Sequence, residues 1–376
     1  MQKKLPTTRP TLGLYIHIPF CKTICVYCNF LTFANKNRWI VEYIEALKLE
    51  IQQKATQFKT YQIETIYFGG GTPSLIDAEL IAAILQTIKE NFSLSPTIEI
   101  NLEANPESLT PEKLHIYSAS GIKRISLGVQ SLNAKTLWKV ARPHDEKATL
   151  KALDLLKSSQ WKNFGCDLIM GLPYQTLQEF KETVETLLNY HPTHLSAYFL
   201  SYDTKRIDTF IADSPNEDEQ IKMYQYLVKK LRKEGFDHYE VSNYARPGFE
   251  CKHNLRYWNQ EEYLGLGLGA HTYVDKTVSE NTRNFEAYLK NPLLIEESYP
   301  LDPETERMDF IMLNLRKAEG LDLKTYSEKY GETAAQEIVQ KAKPYLESKH
   351  LHLTTNNVQP TNIGFLILDK ITQDLL

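Results

Sequence analysis

Phe20-Cys21-Lys22-Thr23-Ile24-Cys25-Val26-Tyr27-Cys28 decides how this chain is read. Three of its five cysteines fall within these nine residues. The loop that carries them leaves the run Leu14-Tyr15-Ile16-His17-Ile18-Pro19, whose aliphatic side chains recur at every second position as in a strand. Sulfur at this density commonly holds metal. A tetrahedral zinc site completed by His17 is one arrangement, although His17 lies inside the strand run, four residues before Cys21. Disulfides fit poorly, because bridges between such close neighbours would be strained and one thiol would be left over. A cubane iron–sulfur cluster is the third arrangement: three thiolates hold three irons and leave the fourth open to chemistry.

The next signal is Phe68-Gly69-Gly70-Gly71-Thr72-Pro73, a glycine run that lets backbone approach a ligand closely. With Cys21, Cys25 and Cys28 spaced as C-x3-C-x2-C, it resembles the radical S-adenosylmethionine (SAM) proteins. That resemblance implies a [4Fe-4S] cluster on the three cysteines, with SAM chelating the fourth iron through its methionine amine and carboxylate. The glycine run resembles the segment that receives the amine.

Length and composition agree with a globular protein. The 376 residues can bury a large core, and 42% hydrophobic with 24% charged residues is ordinary for such a chain. A net charge of -4 gives no reason to expect a nucleic-acid partner. No apolar run approaches the roughly 20 residues of a membrane span. Met1-Gln2-Lys3-Lys4-Leu5-Pro6 is not followed by the apolar core of a signal peptide, so a cytoplasmic protein with reduced thiols is expected.

Strands are expected at Leu12–Ile18, Ile63–Phe68, Thr97–Leu102, Arg124–Val129, Asn163–Ile169 and His194–Leu200. Helical patterns at Trp39–Lys54, Asp77–Glu90, Pro111–Ser120, Glu146–Ser158 and Leu177–Asn189 alternate with them, and Thr110-Pro111 reads as an N-cap followed by proline at the first helical position. Such βα repetition implies an α/β fold with a parallel sheet curved into a full or partial barrel. The resemblance implies an open, TIM-like (βα)6 arc.

Ligands of a parallel barrel gather at the carboxyl ends of its strands. Glu103, Gln130 and Asp167 recur there, and each alone could simply satisfy buried backbone. Among coproporphyrinogen-dehydrogenase-like members of the superfamily, Tyr15, Gly70, Gly71, Thr72, Glu103, Gln130, Arg142 and Asp167 resemble positions that surround SAM. A carboxylate suits ribose hydroxyls, and an arginine fork suits the methionine carboxylate.

Two departures weigh against the oxidative decarboxylation of a porphyrinogen. Those oxidases have another cysteine two residues after the third, where this chain reads Cys28-Asn29-Phe30, and they carry a longer segment before the first strand. Beyond a helix expected at Glu217–Glu234, the run His253-Asn254-Leu255-Arg256-Tyr257-Trp258 resembles the His-Asn-x-x-Tyr-Trp signature of HemW-type haem chaperones. A neutral imidazole is a natural axial ligand of haem iron, so His253 is either that ligand or, with Trp258, a brace at the barrel mouth.

The resemblance covers nearly the whole chain. It implies a haem chaperone that binds haem, a [4Fe-4S] cluster and SAM and hands haem to an acceptor protein, such as a membrane-associated respiratory component, with a homodimer as one assembly. The alternative is an enzyme, an oxygen-independent coproporphyrinogen III dehydrogenase or another radical SAM oxidoreductase.

Gly265-Leu266-Gly267-Leu268-Gly269-Ala270 has the wrong spacing for a dinucleotide loop and is read as close packing, with His271 after it as structural. Cys166 reads as a small core residue, and nothing supports Cys251 as a ligand. The chain's character changes near Asn291-Pro292 and again at Pro300–Pro303, and with the resemblance the chain is read as a radical SAM core (1–236), a connecting region (237–300) that holds the His-Asn-x-x-Tyr-Trp run and a C-terminal domain (301–376). The last has helices expected at Glu304–Leu315, Leu323–Lys329 and Thr333–Ser348, a hairpin at Leu351–Val358 and a helix at Asn362–Leu375. This winged-helix-like pattern carries nine basic and eleven acidic residues from Pro303 onward, which favours a docking or lid role over DNA binding.

Overall fold

The computed structural model describes residues 9–159, 161–201 and 213–376. Residues 1–6, read above for a signal peptide, lie outside them. Six parallel strands form the frame: β1 (Thr11–Ile18), β2 (Gln62–Gly70), β3 (Ser93–Ala104), β4 (Arg124–Gln130), β5 (Phe164–Met170) and β6 (His194–Phe199). Their neighbours follow sequence order, each joined to the next by a crossover that carries helix. The principal helices are α1 (Ile40–Ala55), α2 (Ala78–Asn91), α3 (Pro111–Ser120), α4 (Ala134–Lys139), α5 (Glu146–Ser158) and α6 (Leu177–Leu188). Leu12, Leu14, Ile16 and Ile18 on one face of β1 are fully buried, while Tyr15 and His17 point to the other face.

Local chemistry sets the helix starts. Thr110 accepts from the Lys113 N–H with Pro111 following, and Thr176 forms a reciprocal capping box with Glu179. The six-residue helix α4 was not among the sequence expectations, being too short to show a period.

The arc does not close. After α7 (Glu217–Lys233) the chain adds β7 (Asp237–Glu240) and β8 (Asn243–Ala245) beyond β6. It then crosses through α8 (Lys252–Trp258) to β9 (Tyr263–Leu266), which runs parallel to β1 on the opposite edge. There β10 (His271–Val274), β11 (Thr277–Asn281) and β12 (Ile295–Pro300) continue the sheet in antiparallel fashion. The 12-stranded order places residues 237–300 on both edges of the arc. Glu50 of α1 fixes the β9 side: fully buried, it accepts from Tyr288, Asn281 and the Gly267 N–H and pairs with Lys54 at 2.8 Å.

The C-terminal region is helical around a three-stranded sheet in which Asn357–Pro360 lies between Leu321–Asp322 and Leu351–Leu353. The helix expected over Asn362–Leu375 is two, Asn362–Phe365 and Leu368–Leu375, because Ile367 leaves helical geometry at φ -123°, ψ 25°. No helix among the described residues is long and apolar enough to cross a membrane.

Candidate metal and cofactor site

Cys21, Cys25 and Cys28 line one cavity of about 380 Å³ at the carboxyl end of the strands. Gly70, Gly71, Thr72, Glu103, Gln130, Arg142 and Asp167 line it too, so every site residue expected from sequence enters it except Tyr15 and His253.

The glycine run is packed against the strand that leads into the cysteines. Gly71 and Thr72 donate their N–H groups to the carbonyls of Ile18 and Phe20 at 2.9 and 2.8 Å. Gly70 adopts φ +112°, and a Cβ there would lie 2.5 Å from His17 Nδ1; one at Gly71 would lie 2.7 Å from the Phe20 carbonyl. Only glycine fits both places.

A chain of hydrogen bonds then joins two of the sulfurs. Thr72 Oγ1 donates to Cys21 Sγ at 3.6 Å and accepts from Asn105 Nδ2 at 3.3 Å. Asn105 Oδ1 accepts from Arg142 at 2.9 Å, and Arg142 reaches Cys25 Sγ at 3.6 Å and the Gly128 carbonyl at 2.6 Å. Asn105 was missed from sequence; its position before Pro106 at the end of β3 is the one local signal. Burial raises the thiol pKa of Cys21 and Cys28, and the Thr72 hydrogen bond opposes it at Cys21.

The carboxylates sit deeper. Glu103 accepts from Tyr67 at 2.7 Å, and burial, reinforced by the charge of Asp167, raises its pKa to about 7. Asp167 accepts from Ser126 at 3.0 Å and is likewise raised by burial. Asn101 is buried among the lining residues with neither amide atom hydrogen-bonded, and Arg142 Nε is unpartnered too. Gln130 holds φ +66° where the β4–β5 register shifts, an unusual backbone for a non-glycine residue at the mouth of a site.

His17 is taken up elsewhere. Burial lowers its pKa to about 4, so the ring is neutral. Nε2 donates to the Leu31 carbonyl at 2.9 Å, which leaves Nδ1 to accept from Tyr15 OH at 3.0 Å. The zinc alternative loses its fourth ligand. Among the described residues, no three His, Cys, Asp or Glu side chains are disposed around a single metal ion. Three thiols on one wall, a guanidinium and a hydroxyl on two of them, and unsatisfied amide and guanidinium atoms in the same cavity fit a cluster with a polar ligand beside it.

His253 lies in α8, outside this cavity and fully buried. Nδ1 bonds Thr65 Oγ1 and Nε2 bonds Tyr257 OH, both at 2.8 Å, while the ring stacks on Tyr67 with centroids 5.2 Å apart. Burial, with the Arg256 charge, lowers its pKa to about 3. With both nitrogens engaged inside the protein, this is the bracing geometry, and as placed the ring has no lone pair to offer a haem iron.

Tyr15 and His17 line a second cavity, with Asn29 and Phe30 shared between the two. His271, read from sequence as structural, is half exposed on its wall. The glycines before it are packing residues, as expected: a Cβ on Gly265 would lie 2.2 Å from the His271 carbonyl oxygen. Cys166 is a core residue of β5, and Cys251 is buried with Sγ 3.8 Å from Glu99.

Comparison with known proteins places these observations in context. The radical SAM superfamily pattern matches residues 15–187, and the HemN C-terminal domain pattern matches 301–367. A protein named heme chaperone HemW from Lactococcus lactis is 35% identical over 375 residues, covering 95% of this chain and 97% of its own length. One of the same name from Bacillus subtilis is 31% identical over 371 residues, again 95% and 97%. The solved structure of coproporphyrinogen III oxidase (HemN) from Escherichia coli, described as a radical SAM enzyme, superposes with TM-score 0.85 at 22% identity, covering 98% of this chain and 90% of that one.

Proposed function

This chain belongs to the HemW family of radical SAM proteins, and on that premise we propose that it is a haem chaperone that binds haem, a [4Fe-4S] cluster and SAM and passes haem to an acceptor protein. The observation that carries the reading is the Cys21–Thr72–Asn105–Arg142–Cys25 network, which ties the cysteine loop to the glycine run and the polar wall of one cavity.

Cys21, Cys25 and Cys28 would hold the cluster. When bound, it supplies an iron with a vacant coordination position and a centre that can gain or lose an electron. Thr72 and Arg142 would direct hydrogen bonds at its sulfur ligands, which stabilises negative charge there and tunes potential. Arg142 Nε, buried and without a hydrogen-bond partner, would donate to the methionine carboxylate. Glu103 and Asn101 would serve as the acceptor and the amide for ribose and adenine, with Gln130 and Asp167 completing the polar wall. Tyr15 acts on this site through His17, whose bond to Leu31 fixes the end of the cysteine loop.

Phe30 is 73% exposed where the oxidases carry a further cysteine, so this position presents an apolar surface rather than a thiolate. We assign the protein to the cytoplasm, with the segments 1–236, 237–300 and 301–376 as barrel, connecting region and docking domain. The acceptor is taken to be a membrane-associated respiratory haem protein, and the cluster is assigned to haem transfer or dimerisation.

The test is transfer. Haem-loaded, cluster-reconstituted protein mixed with an apo-cytochrome should give up haem to it, read as growth of the holo-cytochrome spectrum, and the cluster-free Cys25→Ser variant should do so slowly or not at all. Haem that never leaves, or never binds, would contradict the reading.

A further inference from the structure

Beside the cluster cavity lies the second one, of about 580 Å³, within the ~300–1,000 Å³ usual for small-ligand sites. Its walls come from five parts of the chain: β1, the cysteine loop with the residues that follow it, α8, the strands β9–β11 and the helix Pro303–Leu315. It shares Tyr15, His17, Asn29 and Phe30 with the cluster site and its supports, and the rest of its lining plays no part there.

Tyr257, Trp258, Tyr263 and Tyr273 make an aromatic wall, with Tyr257 and Tyr263 packed edge to face at 4.6 Å. Flat apolar walls of this kind hold a flat apolar ring system. Two polar groups interrupt them. His271 stands at the start of β10 with its side chain 54% exposed, and Arg283 is 59% exposed. Glu280 lies between them, its two oxygens 3.7 Å from His271 Nε2 and from Arg283, too far for a hydrogen bond but close enough to orient both. Among the described residues the imidazole has no other polar partner.

An accessible imidazole, an aromatic wall and a guanidinium together match a planar macrocycle that carries a metal at its centre and carboxylates on its edge. Resting on the haem-chaperone reading of this chain, we propose that this second cavity is the haem site, with His271 as axial ligand and Arg283 as the partner of a propionate. The buried His253 then holds Tyr257 in the wall through its 2.8 Å bond.

The shared lining gives the site a direction. Asn29 and Phe30 border both cavities, so haem in the second would lie against the same stretch that follows the last cluster cysteine. Asp309 and Leu313 of the helix Pro303–Leu315 add to the lining, so the C-terminal region contributes to this cavity.

The experiment is a haemin titration of the full, cluster-reconstituted chain, followed by its Soret band. His271→Ala should weaken binding at least tenfold and shift the band, and added imidazole should restore the wild-type spectrum. Val278→Trp, which fills the cavity without touching a ligand, should also weaken binding. Unchanged cluster absorption in each variant shows that the barrel is intact. His253→Ala should leave the axial signature in place. An unaltered spectrum in His271→Ala overturns the assignment while haem binding itself stands. Wild-type protein that takes up no haem overturns the chaperone reading as well.

Discussion

Cys21, Cys25 and Cys28 are each required if the three thiols hold separate corners of one cluster. Serine at any of them is expected to abolish the reconstituted absorption near the visible iron–sulfur bands, and an intact spectrum would remove that residue from the ligand set. Asn105 makes a finer prediction. Asn105→Ala breaks the link between Thr72 and Arg142 but removes no ligand, so cluster content should persist while SAM binding weakens about tenfold, the scale of one charge-assisted hydrogen bond. Glu103 reports on pH. Its pKa is raised by burial from 4.5 to about 7, so the folded state holds its proton more tightly than the unfolded chain. Its contribution is therefore most favourable below pH 4.5 and is lost as pH rises through 7, by a few kcal/mol. Glu103→Gln should flatten the apo-protein's stability between pH 5 and 8 in urea titrations; an unchanged slope would contradict the burial argument. The cysteines and the glycine run were legible because their chemistry is local in sequence. Asn105, Asn101 and Tyr67 were not, because their roles arise only when β2, β3 and the segment after β4 meet at one end of the sheet.

Helix α8 shows the same division at the scale of elements. Its His-Asn-x-x-Tyr-Trp run was read from sequence for haem, yet its buried face does structural work. Arg256 is 2% exposed and bonds Thr11 at 2.8 Å, Glu64 at 3.2 Å and Glu261 at 3.1 Å, tying α8 to β1 and β2. Arg256→Ala removes a buried cation whose carboxylate partners remain half exposed, and about 2–3 kcal/mol of destabilisation is expected from the urea midpoint. A loss below 0.5 kcal/mol would show that the tie contributes nothing. The six barrel strands were found within a few residues because most are buried runs rich in aliphatic side chains; β3, polar and partly exposed over its first half, was placed only over its later residues. β7 to β12 went unseen: three to six residues long, they take their register from the edge they join, which no period in the chain records.

At the scale of the molecule, an open arc carries two adjoining cavities, and the C-terminal helical region meets it at the second. The parallel core was legible from alternating βα patterns, and the C-terminal module from its helices and hairpin. What sequence reading could not supply was that 237–300 splits to both edges of the sheet, which brings His271 and the helix Pro303–Leu315 to the cavity beside the cysteine loop. The central claim is that this arrangement carries haem rather than oxidises a porphyrinogen. The direct measurement is an anaerobic assay of the reduced, cluster-reconstituted protein with SAM, supplied in parallel with haem and with coproporphyrinogen III. Stoichiometric haem binding with no protoporphyrinogen IX formed is the expected result; protoporphyrinogen IX accumulating over many turnovers would contradict it and make the chain a catalyst.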